Sequence, residues 1–199
     1  MQDKTSRRAL FLLLAGLWLA LTSCASLEPS PADRGRWRGK AVYTRVGMHA
    51  EASKAFVGWH MYSTNHIGLP KFFPLGSKFT VTVFGPSSVS MVAEDGSVVE
   101  LDYVPRHHPD LTFDRWLERQ LSFEPIEAPS GLSSEERTAI AEGRYVQGMS
   151  RKALFLSVGY PPATLSPNLN DALLTYEVKR FNRVMFQFDA KDKITEIRH

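Results

Sequence analysis

The chain has 199 residues, a formal net charge of +3, 43% hydrophobic residues and a single cysteine. One cysteine rules out an internal disulfide framework, so the fold must rest on an apolar core. The small charge, with no long Lys/Arg run, excludes the basic footprint of a nucleic-acid binder.

In chain order, Lys4, Arg7 and Arg8 come first, followed by the uncharged, leucine-rich run Ala9–Leu21 and the small polar Thr22 and Ser23. That order is the one of an export signal, and the apolar run falls short of the about 20 residues a spanning helix needs. Ser6-Arg7-Arg8 also fits a twin-arginine form of export. Leu21-Thr22-Ser23-Cys24 then resembles the lipobox of bacterial lipoproteins. The resemblance implies that Cys24 is the lipid attachment site and the new N-terminus, with residues 1–23 removed; an ordinary signal peptide leaving a free thiol is the alternative. Two or more acyl chains anchor stably where one anchors only marginally. Lipoproteins held at the inner membrane typically carry Asp after the cysteine, so with Ala25 the resemblance implies an outer-membrane, periplasm-facing location. Processing would leave 21 basic and 20 acidic residues, since Lys4, Arg7, Arg8 and Asp3 go with the signal.

Residues 24–36 are rich in Pro, Ser and charge and read as a flexible tether, which at about 3.3 Å per residue spans up to roughly 40 Å. Residues 37–122 read mainly as strands. Lys78–Phe84 and Ser88–Ala93 alternate apolar and polar side chains, and Val98–Val104 follows an Asp95-Gly96 hairpin signal. Three such strands predict a small SH3-like β-barrel, closed by a helix in which Thr112 is the N-cap and Phe113, Trp116, Leu117 and Leu121 share one face.

Five of the six histidines fall in this region. Met48-His49 and His60-Met61 set thioether beside imidazole, donors suited to copper(I) or zinc, and His107 is a third candidate ligand. Their spacing fits no ligand motif, so the expectation is no metal and no cofactor. Trp59, Tyr62, Phe72 and Phe73 are expected in loops, where aromatic side chains serve recognition of a ligand or partner.

Residues 123–132 carry two prolines and a Ser-Gly step and read as a linker. In residues 133–199, Ser133 and Glu136 form a capping box for a helix that Gly143 can close; Ser150 caps a second, which Gly159 and Pro161-Pro162 stop. Leu173–Lys179, Arg183–Asp189 and Lys193–Ile197 read as strands. Gly148-Met149-Ser150, Val158-Gly159-Tyr160-Pro161, Thr175-Tyr176 and Phe188-Asp189 together resemble the SmpA/OmlA, or BamE-like, domain of outer-membrane lipoproteins. Leu174 departs from the aromatic residue common there. The expected fold class is therefore α+β: an SH3-like barrel with a terminal helix, then a BamE-like unit of two helices and a three-stranded antiparallel sheet.

The sequence has no Gly-x-Ser-x-Gly, no Gly-x-Gly-x-x-Gly and no phosphate loop. The reading that follows is a non-enzymatic outer-membrane lipoprotein whose partner is an outer-membrane assembly complex and whose role lies in envelope assembly or integrity. The alternatives are peptidoglycan binding through the first region, or metal binding through His49, His60 and His107.

Overall fold

The structure, a computed structural model, describes residues 35–199. Cys24, the signal and most of the tether lie outside the described residues.

The strands are β1 (Ala41–Thr44), β2 (Met48–Ala52), β3 (Trp59–Tyr62), β4 (Lys71–Phe73), β5 (Lys78–Phe84), β6 (Ser88–Ala93), β7 (Val98–Asp102), β8 (Leu121–Ser122), β9 (Leu173–Lys179), β10 (Asn182–Phe188) and β11 (Ile194–Arg198). The helices are α1 (Phe113–Gln120), α2 (Ser134–Glu142) and α3 (Arg151–Val158). Strands β4-β2-β3-β7-β6-β5-β1-β8 form one eight-stranded sheet, and β11-β10-β9 form a second.

The β5–β6–β7 meander follows directly from its alternation. Phe79, Val81, Val89, Met91, Val99 and Leu101 turn inward and are buried, while the threonines and serines between them face outward. At the Asp95-Gly96 turn the Asp95 carboxylate accepts the Ser97 N–H at 2.9 Å and Gly96 takes φ +81°. β1 extends this meander through β5, β3 joins it in parallel through β7, and β2 links β3 to β4. The sheet curls far enough for Lys71 on edge strand β4 to reach Asp95 at 3.0 Å. Helix α1, capped by the Thr112 hydroxyl, lies against the inner face with Trp116 and Leu117 buried. Trp37 is buried in this core, its indole N–H donating to Asp114 at 2.6 Å.

In the second sheet, β9, β10 and β11 bury Leu174, Tyr176, Val184, Phe186 and Ile194 against Ala139, Ile140, Ala153, Leu154 and Val158 of α2 and α3. Both halves of the Ser133–Glu136 capping box are made, and Gly143 ends α2 at φ +65°. The Tyr176 hydroxyl donates to the Gly159 carbonyl at 2.9 Å, fixing the stop of α3 to the sheet.

This architecture corrects the expected fold class. Among the described residues the molecule is mostly sheet, an eight-stranded curled sheet plus a three-stranded one, and α1, α2 and α3 have only 8 or 9 residues each. Only β5–β7 carry a legible two-residue period; β2, β3 and β4 are short, rich in His and aromatic residues, and look like loops in isolation. They enlarge the first sheet well beyond a three-stranded core. Nor are α2, α3 and β9–β11 a BamE-like unit closed on itself. Ile67 from the first region is 5% exposed within their core. The Ile67 and Gly68 N–H groups donate to Glu177 and Val178 on β9, at 3.1 and 2.8 Å.

Candidate functional site

The densest polar geometry lies along the seam between the two sheets. The β1–β2 turn brings Gly47 so close to α3 that its N–H donates to the Leu156 carbonyl at 2.8 Å. A Cβ there would collide with the Ser157 carbonyl and the Phe72 ring, so close approach of two backbones demands glycine. Beyond β3, Asn65 adopts φ +52° and points its amide at the Val158 and Tyr160 carbonyls. Asparagine tolerates this left-handed turn and supplies the donor that the end of α3 needs. The Arg119 guanidinium covers the Tyr160 ring at 4.1 Å.

A row of imidazoles runs alongside. On β3, His60 Nε2 pairs with Asp102 at 2.8 Å, and the Tyr62 ring stands 4.2 Å from His60 and 5.9 Å from His66. His66 Nε2 meets Glu177 of β9 at 2.9 Å, tying the first sheet to the second. His107 Nδ1 lies 3.2 Å from the Thr164 hydroxyl, and its carbonyl accepts the Ala163 N–H at 3.0 Å. Burial raises the Tyr62 phenol above its ordinary value, and the charges of Glu51 and Asp102 add to this. Burial lowers His107, helped by Arg106.

His49 sits deeper. Its ring packs 4.8 Å from Phe72, its Nδ1 is 3.4 Å from the Leu69 carbonyl, and its Nε2 is buried with no partner among the described residues. Burial pushes the imidazole below its ordinary value, against the opposing pull of the Leu69 carbonyl. The adjoining crevice, lined by Met48, His49, Met61, Tyr62, Trp116 and Tyr160 among others, has room for about one water molecule.

The aromatic candidates therefore occupy strands rather than loops, and they do not share a surface. Phe73 is 5% exposed in the core, 5.1 Å from Phe79. Phe72 packs at the seam against His49, where a Cβ on Gly47 or Gly143 would strike its ring. Trp59 and Tyr62 are both half-buried, but strand alternation sends them to opposite faces of β3. Lys71 lies 5.7 Å from the Trp59 ring centre. His49, His60 and His107 each have a separate partner, and no group of three or more His, Cys, Asp or Glu side chains among the described residues could hold a metal ion.

What this arrangement accomplishes chemically is adhesion between the sheets, through the His66–Glu177 pair and backbone carbonyls that meet amide donors, while His60–Asp102 fastens β3 to β7 within the first sheet. Its most important members, Gly47, Asn65, Asp102 and Glu177, carry no local motif, because each matters only through a neighbour 42 to 111 positions away. A different kind of feature stands at the β9–β10 turn, where Phe181 is 84% exposed between Lys179, Arg180 and Arg183. Its signal was available in the sequence as a bulky aromatic at a position where a hairpin has to reverse. Compared with protein-family models, with curated proteins and with solved structures, the chain finds no match.

Proposed function

We propose that the chain is a lipid-anchored envelope protein with a binding rather than a catalytic role, held at the outer membrane through Cys24. The observation that carries this reading is the order of the N-terminus: Lys4, Arg7 and Arg8, the apolar run Ala9–Leu21, then Leu21-Thr22-Ser23-Cys24 and a Pro/Ser-rich tether. Its sole cysteine stands at the one position where lipidation gives it a use. A lipid at Cys24 would raise the effective concentration of partners near the membrane. The folded body supports the reading by being bound together rather than hollow. Its seam histidines are committed to Asp102, Glu177 and Thr164, and the crevice beside them takes about one water. Recognition then falls to the outer surface, and an outer-membrane assembly complex is the partner sought.

Crosslinking in intact cells, with a C-terminal tag on the lipidated chain, tests the partner. Recovery of an outer-membrane assembly complex, abolished in a Cys24→Ser variant, is the expected result. Recovery of peptidoglycan fragments alone would replace the proposed partner with the cell wall.

A further inference from the structure

The turn joining β9 to β10 is built against local preference. Lys179 pairs with Asn182, so Arg180 and Phe181 form the loop, and Phe181 takes φ +69°. Left-handed backbone suits glycine or asparagine, and a bulky side chain there is an outlier. The fold offers the ring little in return. It is 84% exposed, with the Arg180 guanidinium 5.0 Å from its centre.

The surroundings are cationic. Lys179, Arg180, Asn182 and Arg183 are all exposed. None of the three cations joins an ion pair among the described residues. Glu177, opposite Arg183 in the ladder, is held by His66 at 2.9 Å. One protruding aromatic ring among unpaired cations matches the chemistry of an anionic lipid surface, where rings settle at the headgroup level and cations lie among phosphates. It matches a protein groove less well, because a stable protein interface needs roughly 800 Å² from each partner, and the tip offers a single ring.

We infer that the hairpin tip Lys179–Arg183 docks on a bilayer surface bearing anionic phospholipids, with Phe181 inserted and Lys179, Arg180 and Arg183 among the phosphates. The inference rests on the lipid-anchored reading only for the nearness of a membrane. The tip is then a second membrane contact, in which each cation strengthens binding about five-fold.

The test uses the processed chain, residues 24–199, carrying Cys24→Ser so that no lipid can anchor it. The protein is floated with vesicles of phosphatidylethanolamine and phosphatidylglycerol, and separately with phosphatidylcholine vesicles. Binding is expected to the phosphatidylglycerol vesicles alone, and high salt should release it. Phe181→Asn, which suits the left-handed turn, should weaken binding about ten-fold or more. Charge reversal by Arg180→Glu with Arg183→Glu should weaken it at least as much. Val57→Asp, at another strongly exposed apolar residue (97%), should leave it unchanged. Thermal melts of each variant establish that it is folded. Absence of binding to phosphatidylglycerol vesicles would overturn the inference, as would undiminished binding by Phe181→Asn or an equal loss in Val57→Asp. Because this protein carries no Cys24 thiol, failure here leaves the lipid anchor untouched; the anchor is read separately, by the mass of the N-terminal peptide.

Discussion

The two sheets treat their buried polar groups in opposite ways. In the three-stranded half each buried charge is closed by near neighbours. Glu136 accepts the backbone N–H groups of Ser133 and Ser150 at 3.0 and 2.8 Å and the Lys193 ammonium at 3.0 Å. Burial pushes its carboxyl up, but these donors outweigh burial and hold it at about 2. Arg151 gives hydrogen bonds to Asp192, Leu169 and Asp171 and lies 4.0 Å from the Phe188 ring centre. The eight-stranded half instead carries buried His49, Ser63, Thr64 and His108, with His108 Nε2 against the Ser63 carbonyl at 2.8 Å. Burial lowers both histidines, with the Leu69 and Ser63 carbonyls pulling the other way. The buried charges of one half are matched within it, whereas the other buries imidazoles beside backbone carbonyls, with His49 next to the seam residue Phe72. Contacts such as Gly47 on α3 and Ile67 on β9 join these two halves of different polar character.

The largest expected effect comes from closing off that contact. Gly47→Val drives a branched side chain into the Ser157 carbonyl, where backbone cannot yield. It should cost about 3 kcal/mol in urea unfolding. A loss under about 0.5 kcal/mol would mean that the close approach of the two halves contributes little. Next is the three-stranded half. Glu136→Ala strips three donors of their acceptor and should cost about 2 kcal/mol, against about 1 kcal/mol for Ser133→Ala, which removes the cap alone.

The element ends were largely legible in the sequence. Thr112, Ser133 and Ser150 cap α1, α2 and α3, and β5, β6 and β9 run over the residues expected of them. The fold class was not. The parallel pairing of Trp59–Tyr62 with Val99–Asp102 joins distant segments, and nothing in WHMY specifies a partner. The same holds for Lys71–Phe73, whose role as an edge strand depends on β2 being in place. The aromatic residues chosen as recognition candidates show the limit most clearly. Type and local sequence suggested exposed loops, whereas burial of Phe73 and packing of Phe72 at the seam are decided by pairings that local sequence does not encode.

Acid should separate the halves. A histidine held neutral by burial contributes stability that is fully present above its ordinary value of 6.5 and is lost as pH falls below it. Glu136, held low, contributes stability present above its ordinary 4.5 and lost as pH falls toward 2. Urea midpoints should therefore decline first below pH 6.5 and again below 4.5. His49→Leu should flatten the first decline and leave the second. An unchanged first decline in that variant would assign it to His108 and His107 and weaken the contrast drawn for His49.

The smallest expected effect has the opposite sign. The Asp95-Gly96 turn follows local preference and the Arg180-Phe181 turn does not. Phe181→Gly should therefore stabilise the fold by about 1 kcal/mol, read as a rise in Tm, while weakening vesicle binding. A fall in Tm would show that the exposed ring supports the fold and is not held out for a partner.

The account rests most heavily on Cys24. Mass spectrometry of the N-terminal peptide from protein extracted from its native membrane tests it directly. A peptide that begins at Cys24 and carries a diacylglyceryl group is the result the account requires. A free Cys24 thiol, or a chain that still carries residues 1–23, would contradict it.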